Sequence, residues 1–192
     1  MTLSSILLIL LHICTLQLIV VSRPTCRLQG DLVESVHNLL RDLGGQFPVH
    51  CIEYNVNITF PIPAPPASAA NPRQCRQTIS LVNESLREAG LIFMTHTVPV
   101  GEGGVTWNTK KIERFQELQN RLMEEASCVS TCLSFDGSGV LSPYFSNMSA
   151  VLKQPEHAAC GWMSLRRDLL RFLKSALHTH TACFTWRSAQ RG

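Results

Sequence analysis

The first 22 residues contain no aspartate, glutamate, lysine or arginine, since the earliest charged residue is Arg23. Within them, an apolar run from Ile6 to Val21 is interrupted by three polar residues, and Ser22 supplies the small residue typical of a cleavage site. This pattern predicts a secretory signal peptide over residues 1–22. The alternative is a membrane anchor, but a full span needs about 20 clean apolar residues. We therefore expect a secreted, extracellular domain over residues 23–192, without membrane insertion.

Catalytic motifs are also missing. The sequence has no G-x-S-x-G, H-E-x-x-H, P-loop or G-x-G-x-x-G segment, so no nucleophile, zinc or nucleotide chemistry is indicated. His178, His180 and Cys183 group three potential ligands, whereas structural zinc needs about four. We predict no enzyme activity, no metal and no cofactor. The formal net charge of +3 gives no indication of nucleic acid binding, which calls for a strongly basic patch.

Sustained period-two alternation is absent, and apolar residues instead recur at steps of three and four. This spacing predicts amphipathic helices, each of which must bury its apolar stripe against another helix. The predicted helices span residues 28–43, 73–93, 108–127, 143–153 and 158–177. The first is expected to stop at Gly44 and Gly45, and the fourth to begin with Ser142 as its cap and Pro143 in its first turn.

A long proline-rich segment over residues 46–71 separates the first two helices. Its prolines forbid a continuous helix, and its apolar residues, including Phe47, Ile52 and Phe60, are too many for a free linker. An overhand connection pressed against the bundle allows the first two helices to run parallel. The predicted fold class is therefore all-α, a four-helix up-up-down-down cytokine bundle with a fifth short helix.

Seven cysteines follow the predicted cleavage site, a density that usually means disulfide bonds in a secreted chain. The topology places Cys26 near Cys128 at one end of the bundle, and Cys51 near Cys160 at the other. We predict these two bridges, although sequence alone cannot fix connectivity. The remaining cysteines lie near the Cys26 end, and any two of them can form a third bridge: Cys75, Cys132 and Cys183.

Three N-x-S/T triplets follow the predicted signal peptide and are candidate glycosylation sites. They begin at Asn57, Asn83 and Asn147. Glycosylation of such a triplet in a secreted chain requires a position that faces solvent. We therefore expect all three asparagines to be exposed.

The segment over residues 158–171 reads AACGWMSLRRDLLR, which resembles the type I interferon signature of Cys-Ala-Trp followed by an apolar-basic helix. Thr106-Trp107 before the third helix, Tyr144-Phe145 in the fourth and the cysteine after the first helix agree with this family. The proline-rich loop and Leu43-Gly44-Gly45-Gln46-Phe47-Pro48 look more like the fish members. The departures are Gly161 in place of alanine and the three additional cysteines.

The resemblance implies a monomeric ligand that joins two different chains of a class II cytokine receptor and starts kinase signalling and antiviral gene expression. The tighter receptor chain is expected to contact the overhand loop and the last helix. Carried over by position, these receptor-binding residues are Ile52, Arg166, Arg167, Leu170 and Arg171. The residues themselves agree, since the last helix places four cations, including Lys174, around one apolar residue, which suits docking to an acidic partner.

Two other functional classes fit parts of the sequence. A type III interferon or an interleukin-10-like ligand is also a secreted helical bundle, but the signature around Cys160 favours type I. A membrane-active helical protein would have to open its bundle, which long-range disulfides resist.

Overall fold

A computed structural model describes residues 28–55, 58–61, 72–125 and 138–187. The α-helices in these ranges are α1 (Gly30–Asp42), α2 (Pro72–Thr95), α3 (Thr109–Glu125), α4 (Ser138–Leu152) and α5 (Pro155–Thr179). Two 3₁₀ helices lie at Val49–Asn55 and Thr181–Cys183. The described ranges contain isolated β-bridges but no strand. The prediction of an all-α fold is confirmed.

Helices α1 and α2 both begin at the end of the bundle where α5 finishes. The N–H of Gly30 donates to the carbonyl of Thr185 at 2.7 Å, so the start of α1 touches the segment after α5. A disulfide joins Cys75, in the first turn of α2, to Cys183 directly after α5. Both helices therefore run parallel to each other and antiparallel to α5.

Helix α3 runs in the same direction as α5. The N–H of Asn108, just before α3, donates to the carbonyl of Leu43, just after α1, at 3.1 Å. The start of α3 therefore meets the end of α1, so the two helices are antiparallel. Helices α1, α2, α3 and α5 thus have up-up-down-down topology, as predicted. The additional helix α4 is not short as predicted, because its 15 residues exceed the 13 of α1.

Aromatic side chains fill the centre of the bundle. Trp162 is fully buried, with its ring centroid 4.7 Å from that of Phe93 and 6.2 Å from that of Trp107. Phe60 from the overhand connection is also buried, 4.7 Å from Tyr144 and 5.1 Å from Phe172 between ring centroids. The connection therefore contributes to the core, as its apolar residues predicted.

Two helix starts lie three or more residues from the predicted positions, and each of these helices contains a proline near its start. Helix α4 begins at Ser138 and includes Pro143, although proline removes a helical hydrogen bond. The preceding turn carries the fully buried Leu141, and its burial offsets that loss. Helix α5 begins at Pro155, three residues before the predicted start, because the fixed φ of proline suits the first helical position.

The glycine that replaces the family's alanine lies where α4 and α5 approach closely. A β-carbon on Gly161 would lie 2.9 Å from Leu152 Cδ2 and 3.1 Å from Val151 Cγ1. Such separations are shorter than ordinary van der Waals contact. Glycine therefore allows the end of α4 to pack closely against the first turns of α5.

Candidate functional site

The predicted loop contact begins at the 3₁₀ helix Val49–Asn55, which lies against α5. A disulfide joins Cys51 in this helix to Cys160 in α5, which is the pairing expected from the topology. Ile52, the predicted receptor contact, is 55% exposed. The disulfide therefore fixes the 3₁₀ helix to α5, while the side chain of Ile52, which follows Cys51, is exposed to solvent.

His50 lies beside this bridge, and its ring nitrogen is within 4.8 Å of both sulfur atoms. Metal binding by cysteine requires thiolate sulfur, whereas Cys51 and Cys160 are bonded to each other. The three residues are therefore better explained as a disulfide with a neighbouring imidazole. Cys183, which the sequence groups with His178 and His180, is likewise bonded, to Cys75.

Arg166 reaches across to the end of α1 and does not point freely outward. Its Nε donates to the carbonyl of Leu40 at 2.7 Å, Nη2 to that of Arg41 at 2.8 Å and Nη1 to that of Gly45 at 2.9 Å. Partial burial lowers the pKa of its guanidinium below the ordinary value. The cation still suits this position, because positive charge is favoured at a helix C-terminus.

Arg167 also turns toward the overhand connection. Its guanidinium carbon lies 4.6 Å from the ring centroid of Phe47, and its Nε donates to Asp168 Oδ1 at 2.8 Å. Asp168 is buried, and its Oδ2 accepts from the Tyr144 hydroxyl at 3.1 Å. The sequence places Asp168 near the basic residues of α5, but only the structure shows that it faces inward and links α4 to this group.

Leu170, Arg171 and Lys174 line a groove between α5 and α1. Leu170 is half-buried, whereas Arg171 and Lys174 are exposed. Arg41, His37 and His178 add to the basic lining, and Glu34 contributes a carboxylate. Burial lowers the pKa of His37, and the charges of Arg41 and Lys174 act in the same direction. Three permanent cations therefore dominate the charge of the groove at neutral pH.

Two further exposed side chains, one on the 3₁₀ helix and one in the groove, were not among the predicted site residues. Val49 in the 3₁₀ helix is 80% exposed. Trp186, after α5, is 40% exposed and lines the groove. The sequence around Val49 predicted a segment pressed against the bundle and gave no sign that this side chain is exposed. Trp186 lies after the last residue of the α5 apolar pattern, so the pattern did not predict its position.

The remaining predicted sites have different outcomes. Asn147 is exposed on α4, as a glycosylated residue must be. Asn83 is only 7% exposed within α2, so the prediction that this triplet faces solvent is wrong. Its helix turns Asn83 toward neighbouring helices, which the triplet pattern cannot show. Asn57, Cys26, Cys128, Cys132 and the predicted signal peptide lie outside the described residues.

The parallel first pair of helices, the overhand connection and the two disulfides found among the described residues define a helical cytokine bundle. The model of the interferon alpha/beta domain family matches residues 28–181, which is most of the chain. The protein therefore belongs to the interferon alpha/beta family, a family of cytokines and not of enzymes. No helix within the described ranges combines the length and hydropathy needed to span a bilayer.

Known relatives agree with this assignment. Interferon beta of Tachyglossus aculeatus aculeatus is 28% identical over 148 residues, covering 72% of this chain and 73% of that protein. Interferon tau-2 of Bos taurus is 27% identical over 115 residues, covering 55% of this chain and 64% of that protein. The structure of zebrafish interferon 2 shares the fold, with a TM-score of 0.58 and 23% identity, over 78% of this chain and 97% of that chain.

Proposed function

We propose that this protein is a secreted type I interferon that binds a heterodimeric class II cytokine receptor as a monomer. Receptor joining would start kinase and transcription-factor signalling and induce antiviral genes. The family assignment supports this proposal, because interferon beta is among the similar proteins. The zebrafish structure supports the same fold.

The observation that carries the receptor site is an apolar and basic surface on one side of the bundle. Ile52 and Val49 are exposed on a 3₁₀ helix that a disulfide holds against α5. Arg171 and Lys174 are exposed on α5 beside the groove to α1. Exposed apolar anchors and arginine side chains are both typical of interaction hot spots. Because the segment is already fixed, binding would cost little additional ordering of the loop.

The partner expected at this surface is an acidic region of the tighter receptor chain. The groove is lined by Arg41, Arg171 and Lys174, with Glu34 as an opposing charge. Complementary charge mainly accelerates association, and the effect weakens as salt increases. We infer that the basic groove steers docking, while Ile52 and Leu170 supply apolar contact.

Receptor binding can be tested with Ile52→Ala and Arg171→Ala, because neither side chain is required by the core. Each replacement should weaken binding to the ectodomain of the tighter receptor chain by about tenfold, equivalent to about 1.4 kcal/mol. Arg171→Ala should also slow association and reduce its salt dependence. Surface plasmon resonance at two salt concentrations gives both rates.

Lys153→Ala is the matched control, because Lys153 is an exposed cation after α4 and does not line the groove. It should leave the affinity unchanged. Antiviral protection of cells from the source animal should decrease for Ile52→Ala and Arg171→Ala in the same order as their receptor affinities, and should be unchanged for Lys153→Ala. Full activity of Ile52→Ala and Arg171→Ala, with normal helical circular dichroism, would remove this surface from the proposal.

A further inference from the structure

Arg166 is placed differently from an exposed receptor contact, because all three of its guanidinium nitrogens bond to carbonyls of the same molecule. We propose that Arg166 is a positioning residue that holds the overhand connection so that Ile52 is presented to the receptor. The inference rests on the proposed receptor-binding function. It assigns to Arg166 a role separate from that of Arg171, although both lie on α5.

Two of the three carbonyls lie before a glycine hinge, and the third belongs to the last residue of that hinge. Gly44 and Gly45 follow α1 with φ of 98° and 77°, a left-handed conformation that glycine adopts without strain. Leu40 and Arg41 belong to α1 before the hinge, whereas Gly45 ends the hinge where the overhand connection begins. One guanidinium therefore joins the end of α1 to the start of the connection and fixes the direction in which the chain leaves the helix.

The Cys51–Cys160 bridge cannot supply this restraint by itself. It holds the 3₁₀ helix to α5 at one point, about which the segment from the hinge to Cys51 can still pivot. Arg166 fixes a second point at Gly45, and Arg167 contacts Phe47 between the two. Three successive points of attachment leave the 3₁₀ helix one orientation, with Ile52 exposed.

A planar guanidinium is needed for this arrangement, and a lysine ammonium is not equivalent. Arginine presents its donors in a rigid fork, whereas lysine presents a single point charge on a flexible stem. Arg166→Lys would retain a cation near the helix C-terminus but would not span the carbonyls of Leu40 and Gly45 together. Arg166→Lys should therefore behave more like Arg166→Ala than like the native protein.

The decisive experiment is a double-mutant cycle on affinity for the tighter receptor chain. If Arg166 acts through the connection, Arg166→Ala and Ile52→Ala share one effect, and their combined loss should be well below the product of the separate losses. Losses of about tenfold each would then combine to about tenfold to thirtyfold instead of a hundredfold. Arg171→Ala with Ile52→Ala is the control cycle, and its losses should multiply.

Hydrogen exchange of the free protein provides a second measurement that does not involve the receptor. Amides of residues 44–52 should exchange faster in Arg166→Ala and Arg166→Lys, and at the native rate in Arg171→Ala. The variants retain the Cys51–Cys160 and Cys75–Cys183 disulfides, which stabilise the fold. Thermal melts should confirm that each variant is folded at the assay temperature. Arg166→Lys keeps the test available if Arg166→Ala folds poorly.

Three outcomes would overturn the inference: unchanged receptor affinity of Arg166→Ala, multiplicative losses in its cycle with Ile52→Ala, or native exchange over residues 44–52. Failure of the proposed function has a different signature. In that case Ile52→Ala and Arg171→Ala leave receptor affinity unchanged, while exchange in the free Arg166 variants still reports whether the hinge is held.

Discussion

Replacing both Cys75 and Cys183 with serine is expected to lower the free energy of unfolding by about 4 kcal/mol. The bridge they form spans 108 residues of sequence, for which the chain-entropy model gives about 4.8 kcal/mol in an otherwise unlinked chain. The unfolded chain is already shortened by the Cys51–Cys160 bridge. The path from Cys75 to Cys183 through that bridge covers about 47 residues, which reduces the estimate to about 4.0 kcal/mol.

The same path length applies when the other bridge is removed, because the two loops overlap. The chain-entropy model therefore predicts nearly equal losses for the Cys51 and Cys160 pair of serines and for the Cys75 and Cys183 pair. Removing both bridges should cost about 8.8 kcal/mol, slightly more than the two separate losses together. That loss is comparable to the whole net stability of an ordinary domain, about 5–15 kcal/mol, so much of the doubly unlinked chain should be unfolded.

Thermal melts followed by circular dichroism provide the measurement. A loss of about 4 kcal/mol should lower Tm by about 8–16 °C for a domain of this size. The receptor assay separates the bridges, since only loss of the Cys51–Cys160 link releases the 3₁₀ helix that carries Ile52. A fall in Tm below about 3 °C for either variant, or a difference of more than twofold between their stability losses, would refute the loop-entropy reasoning.

Three other variants test individual contacts. Gly30→Ala would place a β-carbon 2.7 Å from the Trp186 ring, so it should destabilise the protein by about 1–3 kcal/mol and shift the tryptophan fluorescence; an increase in Tm would contradict this steric account. Burial, and then the Asp168 carboxylate, raise the pKa of Tyr144 well above 10.0, so the folded state holds this proton more tightly than the unfolded state and stability should fall as pH rises above about 10; Tyr144→Phe should lose that alkaline decline, as pH-dependent melts can show. Gln119 is 2% exposed, and its Nε2 donates to the carbonyl of Leu86, whereas its Oε1 has no partner among the described residues. Gln119→Leu removes one hydrogen bond and one unsatisfied buried oxygen, so it should change the free energy of unfolding by no more than about 1 kcal/mol; a loss well above that would show that Oε1 is satisfied as well.

The helix pattern of the sequence was sufficient to predict the order and type of the elements. Apolar periodicity located five helices, and the structure moves most boundaries by one to three residues. The exception is the start of α4, because Pro143 was assigned to a first turn. A proline signal is local, whereas the burial of Leu141 that extends the helix before it is a tertiary effect.

Prediction of the candidate site was less complete, because a helical pattern shows which face a residue occupies but not what its side chain reaches. Arg166, Arg167 and Arg171 have the same chemistry and neighbouring positions in the sequence. The structure separates them, since the first bonds to the end of α1, the second contacts Phe47, and the third is exposed. Long flexible side chains can choose between partners that only the folded chain brings near.

The sequence by itself determined the helical class, the overhand connection and the resemblance to the interferon family, because periodicity, proline content and motif order are properties of the linear chain. It left open the partners of three cysteines, and its prediction that Asn83 is exposed was wrong. Tertiary structure decided that Cys75 bonds to Cys183 and that Asn83 is buried. Both outcomes depend on which helix faces which, and that is fixed only when all the apolar faces are buried together.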